Sequence, residues 1–85
     1  MNEKPIHIIS LAKRKLVQRG IDEDWILETI RDPEQIVDGY GGRRVAQKKY
    51  KIFDKEYMLR VIYEEQDEHL LVITGYLTSQ ISRYL

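Results

Sequence analysis

YMLRVIYEEQDEHLLVITGY, residues 57–76, is the stretch on which the fold turns. Two apolar runs, 57–63 and 70–77, flank an acidic polar tract at 64–69. Val, Ile, Tyr and Leu dominate both runs, and β-branched and aromatic side chains suit a pleated surface. The stretch predicts a β-hairpin. Residues 70–73, LLVI, are apolar without alternation, which places the second strand near the middle of a sheet, covered on both faces. One arginine, Arg60, interrupts the first run.

Upstream, residues 44–53 alternate imperfectly, with Ala46, Tyr50 and Ile52 on one side and Gln47, Lys49 and Lys51 on the other. That pattern predicts an edge-like strand blunted by its lysines, joined to the hairpin by a tight turn at Asp54-Lys55-Glu56. Residues 35–38 form a short strand candidate ending at the loop Gly39-Tyr40-Gly41-Gly42. Further back, Ser10 is a candidate N-cap for a helix over 10–19, which Gly20 ends in the left-handed conformation. Asp22 caps a second helix over 23–31, Glu23 and Asp24 sit at its positive dipole end, and Asp32-Pro33 stops it. Residues 6–9, IHII, are too few to assign to a strand or to the lead-in of the first helix. The tail LTSQISRYL is either a helical turn capped by Ser79 or an extended arm. The expectation is one α+β domain over residues 1–85. Two N-terminal helices pack on one face of a three- to four-stranded antiparallel sheet, and the other face is partly open.

Composition narrows the function. The absence of Cys excludes disulfides and thiolate metal sites, and two His residues alone make no convincing metal centre. No cofactor is expected. No apolar run approaches the roughly 20 residues of a membrane helix, and MNEKPIHIIS does not read as a signal peptide, so a cytoplasmic protein is expected. The formal net charge is zero, but the charges fall in blocks. Lys13, Arg14, Lys15 and Arg19 form a basic block; residues 22–38 carry seven acids against Arg31; residues 43–55 carry six cations against Asp54. Such blocks build either opposed charged faces or ordinary solvated surfaces.

Alternation along the hairpin places Tyr57, Leu59, Val61 and Tyr63 toward the helices and Arg60 on the open side. In the second strand it assigns Leu71, Ile73, Gly75 and Leu77 to the core and Leu70, Val72, Thr74 and Tyr76 to the open side. Arg60, Thr74 and Tyr76 then share a concave surface, rimmed by cations such as Lys49 and by Arg83 and Tyr84 of the tail. A guanidinium offers phosphate oxygens a fixed fork of donors, and tyrosine stacks on an unpaired base or transfers a proton. The plain alternative is an Arg60 paired with Glu64 or Asp38 across the sheet. His69 reads as a solvated turn residue, and His7 as an ordinary N-terminal residue rather than a base.

Three motifs in order, LAKRKLVQRGID (11–22), LRVIYEE (59–65) and LVITGYLTSQISRYL (71–85), resemble a small domain of unknown function grouped with the RelE/ParE-like toxin superfamily. The resemblance implies a RelE-like fold. It also implies a toxin-like component of a type II toxin–antitoxin system: a metal-free mRNA endoribonuclease or translation inhibitor acting at the ribosome and restrained by a cognate antitoxin. Arg60, Thr74 with Tyr76, and Arg19 match the pattern. The pattern's histidine before the helix-one alanine and its arginine three residues after that alanine are here Leu11 and Lys15. On this reading Arg60 stabilises the phosphate, Lys15 or Lys49 supports charge, and Tyr76 or Tyr84 transfers a proton or stacks. Arg19, Thr74 and Arg83 hold the substrate, and the general base is unassigned. The alternatives are a non-catalytic RelE-fold protein-binding module and a ParE-like gyrase inhibitor.

Overall fold

The computed structural model describes residues 4–84. Residues 1–3 of the stretch weighed as a signal peptide, and Leu85 at the end of the tail, lie outside the described residues. In chain order the elements are β1 (Ile6–Ile8), α1 (Ser10–Gln18), α2 (Glu23–Arg31), β2 (Gln35–Asp38), β3 (Arg44–Ile52), β4 (Lys55–Glu65) and β5 (Leu70–Thr78). Short 3-10 turns occupy Tyr40–Gly42 and Ile81–Arg83.

The strands form one five-stranded sheet in the order β1-β5-β4-β3-β2. β1 runs parallel to β5, with Ile6 beside Leu70 and Ile8 beside Val72, and every other pair is antiparallel. The expected three- to four-stranded antiparallel sheet is therefore corrected to a five-stranded mixed one. A three-residue strand carries no readable alternation, and its partner lies at the far end of the chain. β3 is likewise no edge strand, because β2 pairs along Arg44–Gln47.

Both helices lie where their caps put them. Gly20, at φ +67°, closes α1: its amide donates to Val17 and the Ile21 amide donates to Leu16, the paired bonds of a Schellman stop. Asp22 Oδ1 accepts from the Asp24 amide at 2.9 Å. Ser10 is not the cap; Ile9 holds that position without a side-chain bond. The helices and the connection between them bury Leu16, Ile21, Ile26 and Ile30 against Leu59, Val61, Tyr63, Leu70 and Val72. Gly75 is a close-approach point, since a Cβ there would lie 3.0 Å from Ile26 Cδ1.

An irregularity between Ile62 and Tyr63 shifts the register of β4 against β5. Thr74 faces Ile62 while Val72 faces Tyr63, so Ile73 is the extra residue of a bulge. Upstream of it the faces invert. Leu70 and Val72, expected on the open side, are buried at 0% exposure in the core, whereas Leu71 and Ile73 are only half-buried. The turn is also displaced by one residue or more: Phe53 and Asp54, both at positive φ, connect β3 to β4.

Tyr50 braces this hairpin on the helices. Its ring stacks on Trp25 at 4.4 Å, and its hydroxyl donates to Glu28 at 2.8 Å beside the Thr29 hydroxyl at 3.1 Å. Burial pushes the Tyr50 hydroxyl up to about 12; Thr29 pulls back, and the Glu28 carboxylate pushes further. At pH values below 10.0 both folded and unfolded chains keep this proton. Between 10.0 and about 12 the unfolded chain loses it first, so stability falls as pH rises. Urea midpoints measured across that window are expected to fall more steeply for the parent than for Tyr50→Phe.

Candidate functional site

Arg60 stands on β4, the central strand, facing away from the helices, and its cross-strand neighbours are Gln47 on β3 and Tyr76 on β5. Its Nε donates to Gln47 Oε1 at 2.6 Å, and its Nη1 donates to the Tyr76 hydroxyl. Gln47 is 1% exposed. Its amide donates to Gln35 Oε1 at 3.0 Å and to the Tyr84 carbonyl at 3.3 Å. The Tyr84 ring lies over the guanidinium, with Arg60 Cζ 3.9 Å from its centroid. All these partners are neutral. Glu64, a sequence candidate for pairing with Arg60, instead accepts from Arg43 at 3.0 Å.

The tail decides how open this surface is. The turn Ile81–Arg83 folds the chain back and delivers Tyr84 onto the sheet. Val45, Gln47 and Met58, on the face without helices, are buried as deeply as core residues, and the tail is the cover at Gln47 and Arg60. The expected hollow over Arg60 is not found among the described residues. A cleft of about 840 Å³ lies instead on the helix side, between Ile30, Pro33, Ile36, Arg44 and Tyr63. Burial raises the Tyr63 hydroxyl pKa there, and Arg44 pulls it back. None of the candidate residues lines that cleft.

The structure brings Arg60, Tyr76 and Tyr84 together and leaves others apart. Thr74 shares the face, but its hydroxyl accepts from Arg19 Nη1 at 3.3 Å. The same guanidinium nitrogen donates to the Gly75 carbonyl at 2.7 Å, so Arg19 caps the edge of β5 that β1 leaves uncovered. Lys15 sits on α1, in the opposite layer from Arg60. Lys49 is exposed, two residues from Gln47 on the same face. Arg83 donates to Gln80 Oε1 at 3.3 Å and lies 5.7 Å from the Tyr84 ring centroid. His7 and His69 stack on each other at 4.5 Å. His7 neighbours Leu71, which faces Glu64, roughly 13 Å along the sheet from Arg60 at about 3.3 Å per residue.

Gln47 and Gln35 were not among the sequence candidates. The signal was the turn: centring it on 53–54 pairs Gln47 with Arg60.

A family model described as a domain of unknown function, DUF4258, matches residues 12–76. No curated protein and no solved structure matches the chain. Among the described residues no helix is long and apolar enough to cross a membrane.

Removing Gln47 tests the network. Gln47→Ala deletes the acceptor of Arg60 Nε and leaves a half-buried donor unpaired, at a cost of about 1–3 kcal/mol. Equilibrium unfolding in urea is the measurement, and a midpoint equal to the parent's would show that the bond contributes nothing.

Proposed function

Because the chain belongs to the DUF4258 family, whose description assigns no activity, we propose a function from the site itself. The sheet face carrying Arg60 and Tyr76 meets single-stranded RNA, and the protein acts as the toxin-like member of a toxin–antitoxin pair, related to the RelE/ParE superfamily. Its activity is metal-free cleavage of mRNA. One observation supports the reading: among the described residues the Arg60 guanidinium is held by uncharged partners, so no carboxylate there quenches its charge, and a phosphate reaches it when the Tyr84 ring lifts away.

In the reaction the 2′-oxygen attacks the adjacent phosphorus and the 5′-oxygen departs. Arg60 stabilises the charge that develops on the phosphorane oxygens. Tyr76, hydrogen-bonded to Arg60, gives a proton to the leaving oxygen. His7 is remote, and Lys15 is on the other layer, so hydroxide takes the 2′-proton and the rate climbs with pH through neutrality. A cognate antitoxin covers this face in the resting complex.

The stacked Tyr84 ring favours a second reading, a non-catalytic protein-binding module in which the guanidinium serves only to seat the tail. Primer extension on RNA from bacteria expressing the parent, Arg60→Ala and Tyr84→Ala separates the two. Catalysis predicts growth arrest and new 5′ ends for the parent, a loss of roughly a hundredfold or more for Arg60→Ala, on the scale of one lost electrostatic stabiliser, and undiminished cleavage for Tyr84→Ala. Harmless growth and intact RNA in all three cultures would remove the nuclease. A DNA-damage response with intact RNA would point to gyrase.

A further inference from the structure

The β3–β4 hairpin outruns its neighbours. β2 pairs with β3 only as far as Gln47, and β5 pairs with β4 only from Met58 onward. Residues 50–57 therefore leave the sheet as a two-stranded ribbon, with Lys48 and Lys49 at its root, where their partners Leu59 and Met58 still pair with β5. Its root is held firmly. Tyr50 is stacked on Trp25, and Lys48 donates to the Asp32 carboxylate and carbonyl, each at 3.1 Å.

Its tip is costly. Phe53 is 100% exposed and sits at φ +48°, followed by Asp54 at +65°. A two-residue turn with both φ values positive matches the twist of a hairpin, but Asn and Gly are the residues that adopt it cheaply. Phenylalanine there is a backbone outlier, and the ring makes no use of the fold. A costly backbone conformation at a ring the fold does not use is the kind of outlier from which a functional reading starts.

The ribbon continues the Arg60 face. Gln47, opposite Arg60, is followed on the same side by Lys49 and Lys51, both exposed. Same-face residues step by about 6.6 Å, close to the phosphate repeat of an extended single strand. Lys49 has Met58 across from it, and Lys51 has Glu56. Lys55 lies on the other side, over the Tyr57 ring at 5.5 Å.

We propose that this ribbon is a second RNA contact. Lys49 and Lys51 guide the backbone from Arg60 toward the tip, and Phe53 stacks on an unpaired base there, roughly 20 Å from Arg60. The inference rests on the reading that the Arg60 face meets single-stranded RNA, and it adds the path the strand takes.

The test is fluorescence anisotropy of the whole protein with a labelled single-stranded RNA dodecamer, 2′-O-methylated so that it is not cut. Phe53→Asn removes the ring while suiting the turn, so its thermal midpoint stays level or rises and lost binding is not unfolding. Its affinity is expected to fall roughly tenfold, the scale of one base–aromatic stack. Lys49→Gln with Lys51→Gln is expected to flatten the log–log salt dependence by about 1.4, two phosphates at about 0.7 each. Parental binding by both variants, with Arg60→Ala still abolishing cleavage, overturns this inference alone. A parent that neither binds nor cuts RNA overturns the underlying reading as well. Parental RNA binding with lost capture of a co-expressed antitoxin assigns the tip to a protein partner and also overturns it.

Discussion

A guanidinium on the central strand of a small sheet has to be solvated by the protein around it. Arg60 meets this demand with Gln47, the Tyr76 hydroxyl and the face of Tyr84. Each partner draws another element into place. Gln47 reaches across to Gln35 on β2 and to the tail carbonyl, so one side chain ties the edge strand, the central strand and the C-terminal turn together. Tyr76 requires β5 to sit in register with β4, and that register is reset by the bulge one turn of pleat away. Neutral partners leave the net charge in place, which a carboxylate would have quenched. The arrangement thus locks strands and tail together through partners that, among the described residues, bring no negative charge.

The other layer is organised by contrast on apolar burial. Leu16, Ile26 and Ile30 meet Leu59, Val61 and Val72 without a polar contribution, and the glycine at 75 lets α1 and α2 approach β5 closely. Polar contacts gather at the margins: Tyr50 with Glu28 and Thr29 at one end, Lys48 with Asp32 beside it, and Arg19 over the exposed stretch of β5. These margins fix the orientation of the hairpin ribbon relative to the helices.

How much of this was legible depends on whether the signal was local. The Gly20 stop and the Asp22 cap act within a few residues, and the helices they bound were readable. Alternation put Arg60 and Tyr76 on one face, because no bulge lies between the two residues that face each other. It failed for Leu70 and Val72, since a run such as LLVI carries no polar marker and a one-residue slip within it is silent. β1 was unreadable for another reason: three residues carry no alternation to read, and what makes them a strand is the distant Leu70–Val72. Gln47 was hidden behind a misplaced turn, where Phe53 gave no hint of a left-handed conformation.

The parallel pairing of β1 with β5 has a kinetic side. The opening strand has no lateral partner until the final third of the chain exists, so the sheet cannot be built progressively from its N-terminal end during synthesis. Joining strands so distant in sequence pays a loop-closure entropy that local helix and hairpin formation avoids. The β3–β4–β5 meander is the natural nucleus, and the first strand docks onto it as a late clasp, completing the domain only when nearly all of it has been translated.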